Sequence, residues 1–209
     1  MIEPHSSTLQ EEPVTAARDK PSELRNSVGK VIARLQAEYA RPGSQPSAWA
    51  AASIATLRKS DPGKIENDRG AWPLIYASLP EPLLGHADSV TREERAMHAT
   101  LVLYAIHQSS QPTGMHCAGV PLGRALRQLP GADDERSPIL KRFTSLLSAP
   151  SFEAAMYHLR GLITLLRRER IGLDYVALCQ DLSKLQNPSS TSTIRRRWGR
   201  DFFNNRSAQ

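Results

Sequence analysis

Apolar residues recur at three- and four-residue steps in one segment after another. Nowhere do β-branched residues alternate with polar ones at period two. Steps of three and four gather side chains on one face of a helix, whereas a half-buried strand needs alternation. The pattern therefore predicts an all-α fold. Leu24, Val28, Val31, Leu35 and Tyr39 form one stripe. Phe152, Met156, Leu159, Ile163 and Leu166 form another, and Leu178, Leu182 and Leu185 a third. In the last helix, "IRRRWGRDF", Ile194, Trp198 and Phe202 share a face opposite Arg196 and Arg200. Arg197 has Asp201 as its expected i, i+4 partner.

Local signals set the boundaries. "RPGSQPS" (41–47) ends the first helix, and Ser47 is placed to cap the next. Ser60–Gly70 is a loop by its Pro, Gly and Asx content. "AWPLIYASLPEP" reads as a bent connection or short helix. Thr91 and Glu94 have the spacing of a capping box ahead of an apolar helix through Met97, Leu101, Tyr104 and Ile106. "VPLGRALRQL" is a short helix, Gly172 reads as a helix stop, Asp174 as a cap, and "NPSSTST" as a hinge-like loop. The acidic, proline-bracketed "PGADDERSP" (130–138) is the expected domain boundary. This gives eight to nine helices in two small bundles, residues 22–132 and 133–209, after a polar, flexible extension at 1–21.

Charge narrows the function. The net charge is +6, and it is unevenly placed. Residues 1–40 hold 5 Lys/Arg against 6 Asp/Glu, residues 41–136 hold 10 against 10, and residues 137–209 hold 12 against 5. A localised basic excess suits a polyanion partner. No run reaches the roughly 18 apolar residues of a membrane span, and the N-terminal stretch lacks the pattern of a secretory signal. Two cysteines, Cys117 and Cys179, in unrelated contexts fit a reducing cytoplasm.

Catalytic constellations are not legible. His98, His107 and His116 are spaced nine apart, which does not place the three on one helical face, so they are expected to be solvated or at the core edge. "GMHCAGVPLG" has glycines but lacks the Lys-Ser/Thr closure of a phosphate loop. His116 beside Cys117 lacks a third, orienting group. No cofactor, metal, membrane or small-molecule substrate is expected. What remains is basic: Arg58 and Lys59 after the second helix, Arg124 and Arg127 in "LGRALRQL", and Lys141 and Arg142 in the helix after the boundary. Arg160, Arg167 and Arg168 follow in the long helix, then Arg196 and Arg200. Few aromatics look exposed, so contact with backbone phosphates is favoured over base stacking.

Several stretches, in this order, resemble one family: "LRKS", "WPLIYASLPE", "GVPLGRALRQL", "FTSLLSAP", "LRGLITLLRRERIGLDYVALCQDL" and "IRRRWGRDFF". Over residues 47 to 205 the chain is similar to CasB, the small subunit of the type I-E CRISPR Cascade complex. Arg58-Lys59-Ser60 stands where the family often has two arginines and a glycine, and Tyr175 where a tryptophan is common. The resemblance implies a non-catalytic subunit in antiviral defence. Its implied partners are the guide-RNA-bound backbone subunits, the large subunit and a second copy of itself. It would hold target and non-target DNA strands of the R-loop in basic grooves. Arg58, Lys59, Arg124 and Arg142 are implied first, then Arg160, Arg168, Arg196 and Arg200. The competing expectation is a structural adaptor whose arginines meet acidic faces of neighbouring subunits.

Overall fold

The computed structural model describes residues 14–86 and 89–204. Among them are nine α-helices and no strand. In chain order they are α1 (Val14–Tyr39), α2 (Ala48–Leu57), α3 (Trp72–Tyr76), α4 (Arg92–Gln108) and α5 (Leu122–Arg127). They are followed by α6 (Pro138–Leu147), α7 (Phe152–Glu169), α8 (Tyr175–Leu185) and α9 (Pro188–Phe203). Short 3₁₀ turns at Ile65–Asn67 and Glu81–Leu83 flank α3.

The fold is built around α4. Every residue from Ala96 to Gln108 is buried, so this helix has no solvent face and must be covered on all sides. α1, α2, α7 and α8 cover it, while α6 lies on α7 and α5 on α9. The expected capping box starts the helix. Thr91 Oγ1 accepts from the Glu94 amide at 3.0 Å, and Glu94 Oε2 accepts from the Thr91 amide at 2.6 Å and the Gly85 amide at 3.2 Å. The 130–138 segment carries turns, and Ser137 caps α6. Helices before and after it nevertheless pack on one another, α4 on α7 and α8, and α5 on α9.

A central helix with polar residues must satisfy them internally. His98 Nε2 lies 2.9 Å from Asp68 Oδ2, and His107 Nδ1 lies 2.9 Å from the Tyr175 hydroxyl. Gln108 accepts from the Met115 amide at 2.9 Å and donates to the Thr113 carbonyl at 2.9 Å. Two of the three histidines are therefore core residues, not solvated or edge ones. Tyr175 is fully buried, its ring edge-on to Tyr104.

Burial drives the His107 pKa down to about 4 from its ordinary 6.5. The unfolded chain thus takes up a proton below about pH 6.5 that the folded chain refuses until about pH 4. Stability is expected to fall as pH drops through that window, by on the order of 3 kcal/mol from this group. Urea unfolding from pH 7 to 4 checks this. His107→Gln should flatten part of the slope, and an unchanged slope would refute the assignment.

Four local expectations are corrected. α1 begins at Val14, ahead of the expected Ser22, and runs through Pro21, while residues 1–13 of the expected extension lie outside the described residues. "NPSSTST" is no hinge: Asn187 caps α9 and Pro188 occupies its first turn, where a missing N–H costs nothing. Gly172 does not stop α7, since Arg170 does so at φ 56°. A Cβ on Gly172 would instead stand 2.4 Å from Cys117 Sγ, where His116 and Leu173 form an isolated bridge. The fourth correction concerns Arg197 and is given below.

Candidate nucleic-acid interface

Helix α7 buries Ala155, Met156, Leu159, Leu162, Ile163 and Leu166. The opposite face carries residues 153, 157, 160, 161, 164 and 168, and three basic segments meet on it. Arg160 donates through Nη1 to the Ser60 carbonyl at 2.6 Å and through Nη2 to the Arg58 carbonyl at 3.4 Å. This ties the end of α2 to α7 and leaves the Arg58 and Lys59 side chains exposed. One residue on, Gly161 makes room for Arg142 of α6. A Cβ there would lie 3.1 Å from Arg142 Cδ and 3.2 Å from its Nε and Nη1. Lys141 and Arg142 are exposed. None of Arg58, Lys59, Lys141 and Arg142 has an ion pair among the described residues.

A second group sits where α5 meets α9. Gly123 allows that contact: a Cβ would be 2.4 Å from the Trp198 carbonyl and 2.8 Å from the Phe202 nitrogen. Arg124, the next residue, is exposed, and so are Arg196 and Arg200 on the outer face of α9. Ile194, Trp198 and Phe202 are buried, as their stripe predicts. Arg127 is held by Asp133 at 2.6 Å. Arg197 does not pair with Asp201. It reaches across to Asp181 of α8, whose other oxygen accepts from Trp198 Nε1 at 2.7 Å. A neighbouring helix offering a buried acceptor outcompetes an i, i+4 carboxylate in water. Burial pushes the Asp181 carboxyl up, while Arg197 and Trp198 act the other way. Helix α6 connects the two groups, with Arg142 toward α7 and the Phe143 ring stacked on Phe202 at 4.5 Å.

The remaining expected residues are engaged within the fold. Arg167 Nε donates to the Ser109 carbonyl at 2.9 Å, and Arg168 pairs with Glu169 at 2.9 Å. Arg160, Arg167 and Arg127 thus spend donors on the fold itself. Sequence reasoning passed over Arg25 and Lys30, exposed on α1, which line a groove with His116, Asp174 and Gln180 of the loop and α8. The near-neutral charge balance of residues 1–40 concealed them. It also passed over Tyr157, 76% exposed, which sits one position off the buried stripe of α7. Among the described residues, no three His, Cys, Asp or Glu side chains gather as metal ligands. No helix among them is long and apolar enough to cross a membrane.

Fold and charge together define an all-α protein that displays exposed cations on faces assembled from separate helices. The chain belongs to the Cse2 (CasB) family, whose members are subunits of the type I-E CRISPR Cascade complex: the family model "CRISPR-associated protein Cse2" matches residues 53–203. It is similar to the crystal structure of CasB from Thermobifida fusca, with 31% identity and a TM-score of 0.69, covering 86% of this chain and 97% of that one. CasB from Thermus thermophilus is similar at 26% identity and a TM-score of 0.61, with the same coverage of 86% and 97%. A second Thermus thermophilus structure, of a CRISPR-associated protein of the Cse2 family, is similar at 25% identity and a TM-score of 0.61, again covering 86% of this chain and 97% of that one. No curated protein matches the chain.

Proposed function

We propose that this chain is a non-catalytic subunit that grips nucleic-acid backbone and so stabilises the R-loop of the surveillance complex. The observation that carries this reading is the convergence on α7. Arg58 and Lys59, just past the end of α2, and Arg142 from α6 are brought to consecutive positions of one helix, exposed and without ion pairs among the described residues. Like charges gathered this way repel one another, so the arrangement adds nothing to stability by itself. A phosphate chain relieves the repulsion. Sequence is read elsewhere, by guide–target pairing, and R-loop formation is a near-balanced exchange that a few backbone contacts can tip. Arg124, Arg196 and Arg200 supply a second set of contacts on the α5–α9 side. The partners are the backbone and large subunits, a second copy of the chain, and the two DNA strands.

The test uses the guide-RNA complex with its target, with and without this protein, and with Arg58, Lys59 and Arg142 all replaced by alanine. Opening is read by a single-strand-specific base probe. The protein is expected to prolong the open state and the triple variant to lose that effect while still assembling. Each lost phosphate contact lowers the slope of log affinity on log salt by about 0.7 for a single strand, so the slope should fall by about 2. A triple variant that assembles and behaves as wild type would identify the basic face as solvated and the chain as a structural adaptor.

A further inference from the structure

Tyr157 is the most exposed large apolar side chain among the described residues, at 76%. An exposed tyrosine costs apolar hydration, and among the described residues no other helix covers this one. Its place on α7 gives it a use. It lies three residues before Arg160 and four before Gly161, so all three share one face. Arg160 is tied to the Ser60 and Arg58 carbonyls, so the cation open on this face is Arg142 of α6, laid beside Gly161 one turn from the ring. The step from 157 to 161 is one turn, about 6 Å along the axis. That is the scale on which neighbouring nucleotides of an extended strand follow one another. His158 meets the Tyr157 ring edge-on, with the ring centroids 5.4 Å apart. Glu153, exposed one turn the other way, repels phosphate and ends the site.

We propose that Tyr157 is a stacking platform for an unpaired base, and that the basic face of α7 takes single-stranded nucleic acid in preference to duplex. The proposal rests on the phosphate-gripping role argued above and adds a base contact at Tyr157 to it. Arg142, laid in the gap at Gly161, holds a phosphate, and the attached base swings onto the Tyr157 ring. A duplex keeps its bases stacked inside and offers the ring nothing. Stacking accepts any base, so it adds affinity for single strands without adding sequence preference.

The full chain would be titrated with three probes of equal phosphate number: a thymine-only single strand, an abasic single strand and a hairpin duplex. Tyr157→Ala is expected to weaken the thymine strand by roughly tenfold and to leave the abasic strand and the duplex unchanged. Tyr157→Phe should bind as wild type. Equal binding of the thymine strand by wild type and Tyr157→Ala would overturn the stack, and so would an equal loss on the abasic strand. Arg142→Ala separates the two readings. If it weakens all three probes while Tyr157→Ala changes none, the phosphate grip stands and the stack is wrong. If Arg142→Ala binds every probe as wild type at every salt concentration, or no probe binds even at low salt, both fail.

Discussion

Alanine at position 123 is expected to destabilise this protein by about 3 kcal/mol, although alanine is a better helix former than glycine. The added Cβ would sit 2.4 Å from the Trp198 carbonyl, 2.7 Å from Asp201 Cβ and 2.8 Å from the Phe202 nitrogen. Two of these neighbours are helix backbone, which cannot rotate away as a side-chain tip can. Helix α5 must lift off α9, loosening Trp198 and Phe202, which are both 1% exposed. Overpacking of this kind costs about 1–3 kcal/mol, and a backbone clash falls at the upper end. For a chain this size the Tm should drop by about 6–12 °C. Gly161→Ala is the control. Its Cβ meets only the flexible arm of Arg142, so stability should hold or rise by a few tenths of a kcal/mol. Equal melting of the two variants would show that α5 has room to shift.

Loss of the Asp181 carboxylate is expected to cost nearly as much. This side chain joins α8 to α9 by accepting from both Arg197 and the Trp198 indole. In Asp181→Ala the half-exposed Arg197 can turn to water, but the indole N–H is left buried without an acceptor. A charged hydrogen bond is worth about 1.5–3 kcal/mol, and an orphaned buried donor adds about 1–3 kcal/mol to its removal. Chemical denaturation should show a loss of about 3 kcal/mol for Asp181→Ala. Asp181→Asn, which keeps a carbonyl oxygen for the indole, should lose about half as much. Wild-type stability in both variants would mean that α9 is held by its apolar stripe alone.

The contrast between Trp198 and Arg197 shows how far reading the chain could go. Periodicity placed Trp198 in the core because helical geometry acts on every residue of the segment and needs no knowledge of neighbours. The same reasoning failed for Arg197, because it could weigh only partners on its own helix. The histidines repeat the lesson. Their spacing excluded a shared helical face, yet burial and a specific partner, Asp68 or Tyr175, came from segments far away in sequence. Glycines behaved likewise. Gly172 read as a helix stop, a local role, but its requirement comes from the Cys117 segment passing beside it.

For the basic face, residue type and charge distribution were enough to nominate eleven positions. They could not tell an arginine that ties helices together, such as Arg160 or Arg167, from one left exposed, such as Arg142. Helical periodicity, capping and net charge are local or additive quantities, so they can be read along the chain. Which charges meet, which are spent on carbonyls, and where a glycine leaves space for a guanidinium depend on distances between segments up to a hundred residues apart. Those distances exist only after α7 has been packed against α4 and α6.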